Sequence, residues 1–366
     1  MGPDEVIAPR PDVPPVLLVG THSIHVRRFA AGLCAAGQPV VIVTDRPEPL
    51  LEHALVLDQV QVDFSVRRLG TAAVIRRCIT RWAPRVVHAH QANSVAWHAA
   101  RACRGGSTPL VITIWGSDVL STPHEGFLKR QMVRSALRSA ALWTADAAGL
   151  LRVAAELAQV DRPTAHVVMG LDRVPDDLSQ IWPDKQDWVL SCRLHKPLYR
   201  IDAVIAGFCM AAERRPQWRL EVAATGTETE ALRRMAADLS HGAAVVFTGM
   251  LSADQLERSY RRSTVYVSFP DRDGTSVSLL EAMAHGCVPV VSDLPANREW
   301  IVDGTNGFVV GGTQDLAVAI ERAIHTGHSA RWRSETAEAN RRRVADEASF
   351  AVNIDQFLAQ YARLGR

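Results

Sequence analysis

Two carboxylates, Asp273 and Glu281, flank a Gly274-Thr275-Ser276 turn in this chain. A short apolar run, Val265-Tyr-Val-Ser268, precedes the first, and a helical stretch from Val277 to His285 carries the second. In order, a strand ends, a small-residue turn follows, and a helix begins near Ser276. Amides in the first turn of a helix lack intrahelical acceptors, and the helix dipole favours negative charge beside them. The turn therefore suits an anion such as a phosphate. Glu281, further along, offers a carboxylate able to accept two hydroxyl hydrogen bonds from a ribose. The same residues also suit an ordinary capped helix with surface acids, so partners elsewhere must decide. His88 and His90 end another apolar run on one face, but no third ligand of the right type stands near for a metal. Burial with hydrogen bonding is the simpler reading there.

These residues need elements to position them, and the chain repeats one grammar twice. Val16-Leu-Leu-Val-Gly20, a helical stretch from Val26 to Ala36, and Pro39-Val-Val-Ile-Val-Thr44 read as strand, helix, strand. Apolar runs at Arg85–His88, Pro109–Ile114, Ala140–Ala145 and Ala165–Met169 continue it. Strands apolar throughout belong to parallel sheets covered on both faces. An Asp- and Pro-rich break over 170–187 follows. The pattern then restarts at Trp188–Ser191 and runs through Arg219–Ala223, Ala244–Phe247, Val265–Ser268, Val288–Ser292 and Gly307–Val310. The expected fold class is α/β: two doubly wound Rossmann-like domains facing each other, with the ligand cleft between them. The expected divisions are a loose tail at 1–15, a first domain at 16–175 and a linker at 176–187. A second domain follows at 188–345, and a terminal helix at 346–366 packs back toward the first.

A chain of 366 residues exceeds one ordinary core, in keeping with two domains. A net charge of +2 argues against a general nucleic-acid binder. Between Arg27 and Arg138, however, fifteen Arg or Lys stand against seven Asp or Glu. That excess suits solvated helix faces, an anionic acceptor or an anionic membrane surface. The helical run Phe127–Arg138, with Lys129, Arg130, Arg134 and Arg138, leaves the same choice between solvent and a weak peripheral membrane contact. Six cysteines without metal spacing, no signal peptide and no apolar run of spanning length point to a cytoplasmic protein, at most peripheral at the inner membrane face. The basic residues include only three lysines, a skew expected of a GC-rich bacterial genome.

Asp273, seven residues, then Glu281-Ala-Met-Ala-His-Gly286 resembles the acid motif of the retaining glycosyltransferases of family 4, which have the GT-B fold. Pro289–Glu299, Asp303–Val310 and the Met169-Gly-Leu-Asp172 segment extend the likeness over most of residues 16–325. The resemblance implies that Asp273 reaches hydroxyls of a donor sugar and Glu281 the ribose. The amides of Gly274, Thr275 and Ser276, with Val277 beside them, would cradle the diphosphate, and Gly249 and Met250 would border the base. Arg193 corresponds to the family's diphosphate arginine. The partner lysine is replaced by Lys196, slightly early, or Arg200, slightly late and followed by Ile-Asp as in the family.

On the acceptor side, Gly20 and His22 occupy the place of a glycine-rich loop, with His90 near it. Trp115 stands where many members have a donor-contacting histidine, and Asp118 offers polar contacts in its loop. The implied activity is metal-independent transfer, without cofactor, from a nucleotide-diphosphate sugar, by default UDP-N-acetylglucosamine or UDP-glucose. No Asp-x-Asp motif stands where a metal-dependent transferase carries one. The implied acceptor is a carbohydrate, a glycolipid or a small molecule such as an aminoglycoside-type antibiotic intermediate. The alternatives are a GT-B nucleotide-sugar epimerase and a non-catalytic homologue acting as a partner or sensor.

Overall fold

A computed structural model describes residues 13–47, 54–213, 215–239 and 242–364. The chain forms two compact units, Met1–Val167 with Ala351–Arg366, and Val168–Phe350. The first holds seven parallel strands: β1 (Val16–Val19), β2 (Val40–Thr44), β3 (Val56–Gln61), β4 (Val86–His90), β5 (Leu110–Ile114), β6 (Leu142–Ala145) and β7 (Thr164–His166). Their spatial order is β3-β2-β1-β4-β5-β6-β7, so the winding reverses between β1 and β4. β1, β2, β4, β5 and β6 are buried along their whole length, which explains their largely apolar sequences, broken only by buried histidines in β4 and single buried threonines in β2, β5 and β6. β3 (Val-Leu-Asp-Gln-Val-Gln) is partly exposed at the sheet edge, and its mixed composition gave no continuous apolar signal. β7 ends at His166 rather than running on to Met169.

The second unit repeats the plan with β8 (Gln186–Ser191), β9 (Arg219–Ala223), β10 (Val245–Gly249), β11 (Ser263–Ser268), β12 (Val288–Ser292) and β13 (Phe308–Val310). The order β10-β9-β8-β11-β12-β13 puts the reversal between β8 and β11, paired through Val189–Val265 and Leu190–Tyr266. In doubly wound sheets, ligands sit off the carboxyl ends of the strands at such a reversal.

Two domain expectations need correction. Residues 176–187 are no linker: Leu178 and Ile181 are buried in the same apolar core as Val189, Phe208 and Trp218. The Asp and Pro residues around these two anchors hid them. The division between the units falls at 167/168, not at 175. From Ala351 on, the helix Phe350–Leu364 lies in the first unit, where Phe357 meets Phe29 edge-on at 4.9 Å. Of the expected tail, residues 1–12 lie outside the described residues, Val13 and Pro14 are exposed, and the Pro15 carbonyl accepts from the Arg85 amide.

Where the chain enters the second unit it runs beside the segment that leaves it. The Leu171 amide donates to the Ala348 carbonyl, and the Phe350 amide donates to the Leu171 carbonyl. Gly170 has φ +64°, and a Cβ there would lie 2.5 Å from the Ala348 carbonyl oxygen, so both conformation and space demand glycine. Among the described residues, no helix is long and apolar enough to cross a membrane.

Candidate functional site

The reversal in the second sheet brings together the loops after β8 and β11. Their backbones are joined, with the Asp271 amide donating to the Leu198 carbonyl. From the β8 loop comes Arg193, from the β11 loop Asp273. The guanidinium donates from Nη2 to Asp273 Oδ2 at 2.5 Å, and from Nη1 to the Ser276 and Ser278 hydroxyls. It lies over the Tyr199 ring with its central carbon 4.5 Å from the centroid. Burial pushes the Asp273 carboxyl up from its usual range, opposed by the Arg193 charge and the Gly274 amide. Arg193 stays protonated.

The helix Val277–Ala284 starts beside this pair. Its N-cap, Ser276, makes no side-chain cap, and no acid lies in the first turn. The Ser276 hydroxyl is instead engaged by Arg193 and by Ser278. A helix start without side-chain neutralisation, next to a fixed guanidinium, is an anion-binding arrangement. Glu281 follows on the same helix, half-buried, and Tyr260 OH donates to its Oε2 at 2.8 Å.

The second cation remains divided. Arg200 is half-buried and pairs with Asp202 and Asp271. It adopts φ 47°, ψ 45° at the N-cap of the helix Ile201–Ala212. A left-handed non-glycine residue costs on the order of 1 kcal/mol and persists where surrounding contacts fix it. Lys196 is exposed, as is Met250, while the Gly249 carbonyl accepts from the Ala224 amide at 2.7 Å.

The first unit corrects two assignments at the carboxyl ends of β4 and β5. Asp118, expected to face a substrate, is 1% exposed. Its Oδ2 accepts from the Ala92 amide at 2.7 Å and its Oδ1 from the Trp115 amide at 3.1 Å. Burial pushes its carboxyl up, opposed by these amides. It clamps two loops together rather than offering a free carboxylate. His90, expected on the acceptor side, is 1% exposed, and neither ring nitrogen has a hydrogen-bond partner. Trp115 is half-buried, stacked obliquely on His25 at 4.6 Å and on His90 at 5.7 Å. Gly20 is required by packing, since a Cβ would lie 2.7 Å from Val26 Cγ2. His22 is exposed, its amide bonded to Asp45.

His88 is the hydrogen-bonded member of the histidine pair, bridging Tyr361 OH at 2.5 Å and Thr113 Oγ1 at 2.6 Å. Burial pushes the His90 imidazole down to about 3, with His25 adding to the effect. A histidine depressed on folding supports the fold above its unfolded value, and that support is lost as pH falls toward the folded value. The first unit should therefore lose about 1.4 kcal/mol per pH unit from His90 as pH drops from ~6 to ~4. His90→Leu forfeits no hydrogen bond and should melt with a flatter pH dependence over that window. An unchanged slope in thermal melts would show that His90 takes up no proton on unfolding.

Sequence reading missed Tyr260, Cys192 and Ser278. Tyr260 is fully buried; with its one proton given to Glu281, its hydroxyl oxygen accepts from the Cys192 thiol (3.2 Å). Tyr266 OH and Ser278 Oγ lie 2.7 Å apart, fixing the hydroxyl that Arg193 uses. No local motif announces such long-range bonds. Among the described residues, no group of three or more His, Cys, Asp or Glu is placed to hold a metal ion.

Comparison with known proteins gives a consistent result. Residues 16–146 match the family described as glycosyl transferase 4-like, and residues 185–326 the glycosyl transferases group 1. An alpha-monoglucosyldiacylglycerol synthase of Streptococcus pneumoniae is 27% identical over 34% of this chain and 28% of its own length. A GDP-mannose-dependent phosphatidylinositol monomannoside mannosyltransferase of Mycolicibacterium smegmatis is 33% identical over 32% of each protein. The matches thus span about a third of these curated relatives. Anabaena HepE, solved in complex with UDP, superposes with a TM-score of 0.75 at 17% identity, over 95% of this chain and 99% of that one. At that identity the likeness speaks for the fold, GT-B. Bearing both family halves in order on two doubly wound sheets, the chain belongs to the family 4-like glycosyltransferases of the GT-B fold.

Proposed function

We propose that the chain transfers a sugar from a nucleotide diphosphate to an acceptor hydroxyl, with retention of configuration and without a metal. The observation that carries this reading is Arg193, fixed beside the uncapped start of Val277–Ala284, with Glu281 further along the same helix. The diphosphate competes with Asp273 for the guanidinium, and its arrival releases the Asp273 carboxylate to the sugar hydroxyls. As the glycosidic C–O bond breaks, charge accumulates on the leaving diphosphate, where Arg193, Arg200 and the amides of Gly274, Thr275 and Ser276 stabilise it. The departing phosphate takes the acceptor proton, so no side chain has to act as general base and Trp115 in place of histidine is compatible with turnover. UDP-N-acetylglucosamine or UDP-glucose is the proposed donor.

A thermal-shift panel of UDP, GDP, ADP and TDP tests the reading, with Glu281→Ala as control. A ligand at a hundred times its Kd stabilises by about 2.7 kcal/mol, so one nucleotide should shift the wild type and not the variant. Transfer from the selected donor should then persist in EDTA. No shift with any nucleotide would favour a non-catalytic homologue, and activity restored by Mg²⁺ after chelation would refute the metal-free step.

A further inference from the structure

The first unit carries surface features that the donor site leaves unused. The helices Gly70–Trp82 and Phe127–Ser139 both pack against Ser94–Cys103 on one layer of the sheet. Each lies in a crossover between parallel strands and so begins at the carboxyl-terminal edge of the sheet. Both starts place apolar side chains in solvent. Val66 and Leu69 are 48% and 60% exposed at the first, and Phe127 and Leu128 are 73% and 82% exposed at the second. Burying such groups elsewhere is cheap for a folding chain, so adjacent exposed apolar side chains at the starts of two helices of one layer mark a contact surface.

The charge around them is of one dominant sign. Arg67 and Arg130 are exposed beside the tips, whereas Arg68 and Lys129 pair with Asp63 and Glu125. Running from Leu69 between Gly70–Trp82 and the end of Ser94–Cys103 is a cavity of about 320 Å³, lined by Leu69, Ala72, Ala73, Arg76, Arg101 and Arg104. No acid lines it. Arg76 is anchored to the Arg101 and Ala102 carbonyls, Arg101 lies over the Trp97 ring, and Arg101 Nε is buried with no hydrogen-bond partner.

We propose that this face docks on an anionic phospholipid bilayer. The Val66/Leu69 and Phe127/Leu128 tips enter the interface, and the Arg76–Arg101–Arg104 groove takes a lipid phosphate. Apolar side chains flanked by arginine and lysine are the composition that an anionic membrane surface binds, each basic group adding to the attraction. A soluble acidic partner would not account for four apolar side chains held out at two tips. Resting on the proposed transfer, the inference names the acceptor class as a hydroxyl borne by a membrane lipid.

Vesicle co-sedimentation tests the surface with the full chain. The protein should pellet with phosphatidylcholine/phosphatidylglycerol vesicles, not with phosphatidylcholine alone, and raised salt should release it. Phe127→Ser/Leu128→Ser should lower the bound fraction on the order of tenfold. Arg101→Ala/Arg104→Ala should reduce the preference for anionic lipid. Millimolar inorganic phosphate should not compete; full competition would show the groove to be a site for free phosphate and overturn the proposal. Equal pelleting of wild type and variants, or none by the wild type, would also overturn it. The nucleotide shift is read on the same preparations and involves none of these residues. A normal shift without vesicle binding therefore removes the surface alone, and vesicle binding without a shift removes the donor-site reading and with it the acceptor class.

Discussion

Replacing Arg193 with alanine is expected to slow transfer by on the order of 10²–10³-fold, as loss of a transition-state charge donor does elsewhere. It should also destabilise the second unit by about 3 kcal/mol, because the change leaves the largely buried Asp273 carboxylate without its partner. The two effects have separable origins. Arg193→Ala/Asp273→Asn removes the stranded charge and should recover most of the stability while transfer stays lost. Melting temperature and initial rate, measured on both variants, check this. A double variant as unstable as the single would mean that the guanidinium matters through its packing on Tyr199. The stability loss should also depend on pH. Burial already raises the Asp273 carboxyl, and without Arg193 its main opposing pull is gone. A group raised on folding supports the fold while protonated, and that support fades as pH rises through its folded value. The deficit of Arg193→Ala should therefore be larger near neutrality than at a pH of about 4.

The second large effect is expected at Glu281. On the proposed donor site, Glu281→Ala removes the carboxylate assigned to two ribose hydroxyls and should cost about 3 kcal/mol of binding, on the order of a hundredfold in nucleotide Kd. Tyr260→Phe keeps the carboxylate but removes the hydroxyl that orients it. That variant should weaken nucleotide binding by about fivefold, roughly 1 kcal/mol, with a smaller change in kcat once donor saturates. Calorimetric titration on the two variants distinguishes them. Equal Kd values for wild type and Glu281→Ala would place the ribose elsewhere.

Both arguments use residues of different legibility. Asp273, the small-residue turn and Glu281 are contiguous, so local order alone brings them near one another. The apolar strands were legible because a sheet covered on both faces leaves few polar positions, and β3 escaped because an edge strand is under no such demand. Asp118 shows the opposite failure. Its type and loop suggested a substrate contact, yet its two oxygens serve backbone amides 26 and 3 residues away, a demand invisible until the loops are folded. Tyr260 stood in a segment with no motif, and only the pairing of β11 with β8 and the course of Val277–Ala284 bring its hydroxyl to Glu281 and Cys192. Leu178 and Ile181 were concealed by composition, since two apolar side chains suffice to anchor a segment that is otherwise polar.

The placement of Phe350–Leu364 in the first unit has a consequence for biosynthesis. Tyr361, which bonds His88, and Phe357, which covers Phe29, leave the ribosome only after the whole second unit. The unit translated first is thus completed last. Until Phe350–Leu364 has been made, the nascent first sheet carries a buried-type histidine and an aromatic face open to solvent, whereas the second unit has all of its strands in hand.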